Sequence, residues 1–172
     1  MIATLRLDGG MRYRENGVVC ELIQASSAQE LEQVRELFRE YQRWVDEPCC
    51  FTTFEQELAG LPGEYGPPGG RLLLVLADGM PAGCVALRPL DAGRSEIKRL
   101  YVRPAFQGQG LGKRLAQAAI EAARATGCHT LLLDTLPKMA SAIALYGALG
   151  FVRRGAYSPQ PTPGALFFEL RL

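Results

Sequence analysis

Apolar positions along the chain follow two rhythms, a period of two or an unbroken apolar run for strands, and spacings of three and four for helices. The run VVCELIQ at 18–24 reads as a first strand. Leu31, Val34, Leu37, Phe38, Tyr41 and Trp44 then mark one face of a helix, entered through a Ser27-x-x-Glu30 capping box. Asp46-Glu47-Pro48 should break it, since proline lacks an N–H to donate. Thr52 with Glu55 repeats the capping signature before a short helix carrying Phe54, Leu58 and Leu61. These two helices read as a lid-like pair, and the Gly/Pro-rich residues 61–70 as a loop with scope for movement.

Residues 71–76 form an apolar strand, which turns at Asp78-Gly79 and returns through 83–87 as a hairpin. After Asp91-Ala92-Gly93 comes an alternating strand with Ile97, Leu100 and Val102 among Glu96, Lys98 and Arg99. It meets Pro104, crosses the glycines at 108, 110 and 112, and becomes a helix striped by Leu111, Leu115, Ala118, Ala119 and Ala122. Ile120 falls on its polar side. Gly127 ends that helix and residues 129–134 are the next strand, so a strand, helix and strand imply a right-handed crossover between parallel strands. Pro137 is placed to start a last helix with Met139, Ala142, Ile143, Tyr146 and Leu149, capped by Gly150. Phe151-Val152 and residues 165–170 close the sheet. The expectation is one α/β (α+β) domain over 18–172, preceded by an extension over 1–17 that is loose or adds one edge strand.

The 19 basic and 18 acidic residues nearly cancel, so no field for nucleic acid or anionic membrane is written into the composition. The longest purely apolar run, residues 72–77, is far short of the roughly 20 residues of a spanning helix. No secretory signal is evident at the start, and the expected compartment is the cytoplasm. Five cysteines without C-x-x-C spacing suggest neither zinc nor redox chemistry, and the adjacent Cys49 and Cys50 are expected as thiols. His129, the single histidine, cannot build a metal cluster with a second one; no metal is expected.

A strand, a glycine turn and a helix N-terminus make an anion-binding unit. A dinucleotide fingerprint fails on spacing: the sixth position is Lys113 counted from Gly108 and Leu115 counted from Gly110. A phosphate-binding loop of the G-x-x-x-x-G-K-[ST] type fails too, with Gln107 where the first glycine belongs and Arg114 after Lys113. What remains is Q-x-x-G-x-G, met by Gln107, Gly110 and Gly112.

This pattern resembles the acyl-coenzyme A motif of the GCN5-related N-acetyltransferases (GNAT family). The resemblance extends over most of 18–172, through Leu100-Tyr101-Val102-x-Pro104 before the turn and Ala142-Ile143-x-Leu145-Tyr146-x-x-Leu149-Gly150-Phe151 near the end. It implies a mixed, twisted sheet of about six to seven strands flanked by about four helices, with central parallel strands splayed around the acyl-CoA site. Backbone N–H groups around Gly108, Gln109, Gly110, Leu111, Gly112 and Lys113 would wrap a pyrophosphate, helped by the helix dipole. The segment Leu100, Tyr101, Val102 would hold the pantetheine arm like an added strand and offer an N–H to the thioester oxygen.

The same resemblance points to Glu96 as the base that frees the amine, and to Tyr146 as the group that protonates or hydrogen-bonds the leaving sulfur. The plainer readings are a strand charge paired with Lys98, Arg99 or Arg94, and a core aromatic beside Ile143 and Leu149. Many relatives carry an asparagine where Met139 stands, leaving Ser141 as the substitute polar contact. The activity implied is acetyl-CoA-dependent transfer to a primary amine, of a small molecule rather than a protein lysine or N-terminus, by direct attack in a ternary complex. A non-catalytic acyl-CoA-binding module, or acetylation of a protein lysine or N-terminus, is the alternative, and a homodimer is left open. Arg88, Arg94, Lys98, Arg99, Arg153 and Arg154 would suit an acceptor with a carboxylate.

Overall fold

The computed structural model describes residues 10–15, 17–47 and 53–172. The Cys49–Cys50 pair and the Thr52 cap lie outside them. Among the described residues eight strands form one sheet, ordered β1-β2-β3-β4-β5-β6-β8-β7. They are β1 (Met11–Glu15), β2 (Val18–Gln24), β3 (Arg71–Ala77), β4 (Met80–Asp91), β5 (Arg94–Val102), β6 (Thr130–Thr135), β7 (Val152–Arg154) and β8 (Leu166–Arg171). That is slightly more than the six or seven expected; residues 11–15 pair antiparallel with β2 as an edge strand. Every neighbouring pair is antiparallel except β5 and β6.

Four helices, α1 (Ala28–Val45), α2 (Phe54–Ala59), α3 (Leu111–Ala125) and α4 (Ala140–Ala148), accompany the sheet. Because β3 is covered on both faces, its apolar run is continuous rather than alternating. Leu73 and Val75 join one buried cluster with the α3 residues Leu115, Ala119 and Ala122. Leu72 and Leu74 join the other, with Val34, Leu37 and Phe38 of α1 and Phe54 and Leu58 of α2.

The α1 cap is the expected box, with Ser27 accepting from the Glu30 N–H and Glu30 accepting from the Ser27 N–H at 2.9 Å. Helix α2 begins after Thr53 without a side-chain cap. Residues 61–70 dock on the lid: Tyr65, in a 3-10 turn at Gly63–Tyr65, is buried and donates to Glu57 at 2.7 Å.

Three local expectations are corrected. Trp44 leaves the buried face and is 55% exposed, stacked on Tyr41 at 6.2 Å between ring centroids. Pro137 precedes α4 instead of opening it, because Leu136 accepts from the Met139 N–H in a separate turn before the helix begins at Ala140. Ile120 is buried, in the cluster against which Met11 and Tyr13 of β1 pack, so the edge strand widens the apolar face of α3.

Candidate active site

The parallel pairing of β5 with β6 is brief. Arg94, Ser95 and Glu96 pair with Thr130, Leu131 and Leu132, and no pairing follows between residues 97–102 and β6. On its other side β5 is interrupted as well. Cys84 pairs with Tyr101 and Ala86 with Lys98, so two residues, Arg99 and Leu100, face the single residue Val85. This is a β-bulge, and Arg99 takes the left-handed conformation at φ 56°. The bulge interrupts the alternation of β5 at this point. Ile97 and Tyr101 are an even number apart and would share a face in a regular strand, yet they enter opposite cores.

Helix α2 holds the bulge from the lid side. Arg99 donates through Nε and Nη2 to Glu57 at 3.0 and 2.6 Å, with its guanidinium 5.6 Å from the centre of the Phe54 ring. Burial acts to raise the Glu57 carboxyl, but the hydrogen bonds and charge of Arg99 outweigh it and the pKa lies below the ordinary value.

The gap left by the strands opens into a cavity of about 350 Å³. Residues 97–102, Gln107, Gly112, Ser141 and Tyr146 line it, with Tyr41 and Trp44 of α1 on the lid side. Gln107 donates to the Val102 carbonyl at 2.9 Å, tying the turn to the end of β5. Gly108 and Gly110 have φ of 74° and 80°, a region that L side chains rarely adopt, and a Cβ at Gly108 would meet nothing within 4 Å. The first N–H of α3 to find a helical carbonyl is that of Arg114, on Gly110 at 3.1 Å. The N–H groups of Leu111, Gly112 and Lys113 therefore have no intrahelical partner.

Not every expected cofactor contact reaches this cavity by its side chain. Leu111 is buried in the core and offers only its main chain. Gln109 donates to the Ala105 carbonyl at 3.3 Å, and Lys113 is exposed on the turn. Tyr101 contributes to the lining but points its ring into the α1 core, 5.8 Å from Tyr41. Met139 is buried and accepts a hydrogen bond from Thr135 at 3.2 Å. Tyr146 is buried, 5.7 Å from the Phe151 ring, and burial raises its pKa above the ordinary tyrosine value.

Glu96 lies elsewhere. It is absent from the lining of the first cavity and belongs to a second, also of about 350 Å³, together with Arg88, Tyr157 and Gln160. Its side chain is 4% exposed and both oxygens are engaged: Oε2 accepts from Arg88 at 2.8 Å, and Oε1 accepts from the Tyr157 hydroxyl at 2.6 Å. Burial, then the Glu96 charge, drives the Tyr157 pKa up.

The two cavities share three residues, Lys98, Asp134 and Thr162. The sequence pattern alone does not single out Asp134 or Thr162. A signal for Asp134 was present, an acid closing the apolar strand 131–133 at the carboxyl end of a parallel strand, where open α/β sheets bind ligands.

Five of the six cations expected near the acceptor are paired with carboxylates. Arg88 pairs with Glu96 and Glu64, Arg94 with Asp91, Lys98 with Asp134, Arg99 with Glu57 and Arg154 with Glu169. Arg153 sits over the Phe168 ring.

Comparison with known proteins agrees with this arrangement. The model of the acetyltransferase (GNAT) family matches residues 31–151. An uncharacterized N-acetyltransferase of Schizosaccharomyces pombe is 35% identical over 147 residues, 84% of this chain and 90% of that protein. An acetyltransferase from Streptococcus agalactiae shares the fold with a TM-score of 0.76 at 19% identity, over 89% of this chain and 98% of its own. The yncA protein of Salmonella typhimurium, solved with its cofactor acetyl-CoA, shares it with a TM-score of 0.64 at 20% identity, over 88% and 93%. The turn, the splayed strands and the matched length converge: this chain belongs to the acetyltransferase (GNAT) family and is an acyltransferase.

Proposed function

We propose that the enzyme transfers an acetyl group from acetyl-CoA to the primary amine of a small polar molecule, by direct attack with both substrates bound. The observation that carries this reading is the meeting of two cavities at the point where β5 leaves β6. One cavity is lined by Gln107 and Gly112 of the glycine turn and by Tyr146, and the other is polar. Two substrates entering from the two sides would come into contact there, converting a bimolecular step into one between held partners.

The residues present suit an acyl-CoA. The N–H groups of Leu111, Gly112 and Lys113, without intrahelical partners, and the open space over Gly108 fit a pyrophosphate. The edge of β5 from 97–102, unpaired by β6, offers main-chain groups to a pantetheine arm, and an N–H of this edge would stabilise charge on the thioester oxygen. Tyr146, protonated throughout the neutral range, supplies the proton for the departing thiolate.

A small acceptor is favoured because residues 157–162 form part of the wall of the second cavity and Tyr157 is tied to Glu96 across it. With the surrounding cations paired internally, a polar amine suits the chamber better than one that needs a bare arginine for its carboxylate. Among the described residues Cys84 and Cys128 are buried free thiols, which fits the reducing cytoplasm expected from the sequence. No helix among the described residues is long and apolar enough to cross a membrane.

The test is release of free thiol from acetyl-CoA across a broad panel of small amines, with lysine peptides alongside. Turnover on a small amine is expected. Binding without turnover on any amine would return the reading to a non-catalytic module, and tight ATP or NAD binding without coenzyme A binding would overturn the reading of the turn.

A further inference from the structure

The acetyl transfer proposed above requires the amine to lose a proton where the two cavities meet, and among the described residues only Lys98, Asp134 and Thr162 line both. An ammonium and an alcohol are not bases near neutral pH. We propose that Asp134, rather than Glu96, is the general base that takes the proton from the acceptor amine. It stands on β6 two residues beyond Leu132, the last residue paired with β5, and so borders the gap itself.

The two carboxylates differ in what they have to spare. Asp134 is 22% exposed at its side chain, with Oδ1 accepting from Lys98 at 3.1 Å, and among the described residues no hydrogen bond falls on Oδ2. Glu96 has both oxygens occupied, by Arg88 and Tyr157, and a side-chain exposure of 4%. A base must come within hydrogen-bond reach of the proton it removes. Asp134 meets that condition from either cavity, whereas Glu96 reaches only the second.

Lys98 of β5 lies 3.1 Å from Asp134 and 3.7 Å from Glu96, and the Asp134 charge adds to the effect of burial in raising Tyr146 of α4 and Tyr157 of residues 155–165. The Lys98 contact orients the carboxylate.

The step balances as follows. The Asp134 carboxylate accepts one proton from the acceptor ammonium. The freed nitrogen pair attacks the thioester carbon and forms the C–N bond, and the C–S bond breaks with its pair left on sulfur. Sulfur takes a proton from Tyr146, which regains one as the nitrogen gives up its second proton. Asp134 releases its proton to solvent.

The test is the rate–pH profile of Asp134→Asn on an amine that the wild-type enzyme acetylates, with Glu96→Gln beside it. At neutral pH kcat/KM for Asp134→Asn is expected to fall by about 10²–10³. The deficit should shrink at least about tenfold as pH approaches the amine pKa near 10, where the substrate arrives deprotonated. A profile parallel to wild type, or a profile altered in Glu96→Gln alone, would overturn the assignment. Coenzyme A binding by the variant reports its fold, and Asp134→Ser is read by the same criteria if the asparagine variant does not bind. A wild-type enzyme that releases no thiol with any amine would defeat the transfer reading itself, an outcome separate from the behaviour of the variants.

Discussion

Glu57 of the lid helix and Arg99 of the central bulge form a two-pronged ion pair, 3.0 and 2.6 Å, with side-chain exposures of 16% and 9%. The pair fastens a strained residue of β5 to the element that covers the site. Glu57→Ala should cost about 3 kcal/mol, since it leaves a buried cation without its anion, and should lower kcat as the bulge loosens. Because the Glu57 pKa is lowered by folding, its stabilisation is complete above the ordinary glutamate value of about 4.3 and is lost as pH falls below it through the folded value. Urea unfolding at neutral pH and near pH 3 should therefore show a smaller difference between wild type and variant in acid.

Tyr146→Phe keeps the ring packed against Phe151 and removes only the hydroxyl. Turnover should fall by about a hundredfold, with acetyl-CoA affinity little changed. Since burial raises this pKa, the phenol stays protonated past the usual value near 10 and Tyr146 itself contributes no alkaline fall in rate below it. Unaltered turnover in the variant would return Tyr146 to a packing role.

Gly110→Val places a β-branched residue at φ 80°, in the left-handed region, at a cost of about 1–2 kcal/mol. The turn is exposed, so the fold should survive while coenzyme A affinity falls by tenfold or more. Calorimetric titration together with a thermal melt separates the two effects.

Glu96→Gln leaves the Arg88 guanidinium without its buried carboxylate partner while Tyr157 can still donate to the amide oxygen. The expected result is a higher KM for the amine and a rate–pH profile of wild-type shape. Steady-state kinetics with the amine varied at saturating acetyl-CoA would measure it.

Local chemistry in the chain was legible where a few adjacent residues decide the outcome. The Ser27–Glu30 box, the glycine turn at 108–112 and the Gly150 cap each depend on neighbours within five positions. Features set by distant partners were not. Ile120 is buried because an edge strand more than a hundred residues earlier packs on its cluster, and Glu96 is sequestered by Tyr157 from a loop. The bulge lies between these cases. Ile97, Leu100 and Val102 are spaced three and then two, and that odd interval marks the extra residue in β5, although only the register with β4 identifies it as one.

The three residue pairs that join β5 to β6 have a mechanical consequence. Strands β1 to β5 and strands β6 to β8 form two plates stitched together along a seam that is unfastened beyond Glu96 and Leu132. A molecule laid along 97–102 acts as the missing thread, so occupancy should be felt as stiffness across the whole sheet. The amides of 97–102 that point away from β4 are expected to exchange hydrogen quickly in the free protein and slowly with coenzyme A bound, which would make this seam a built-in gauge of occupancy.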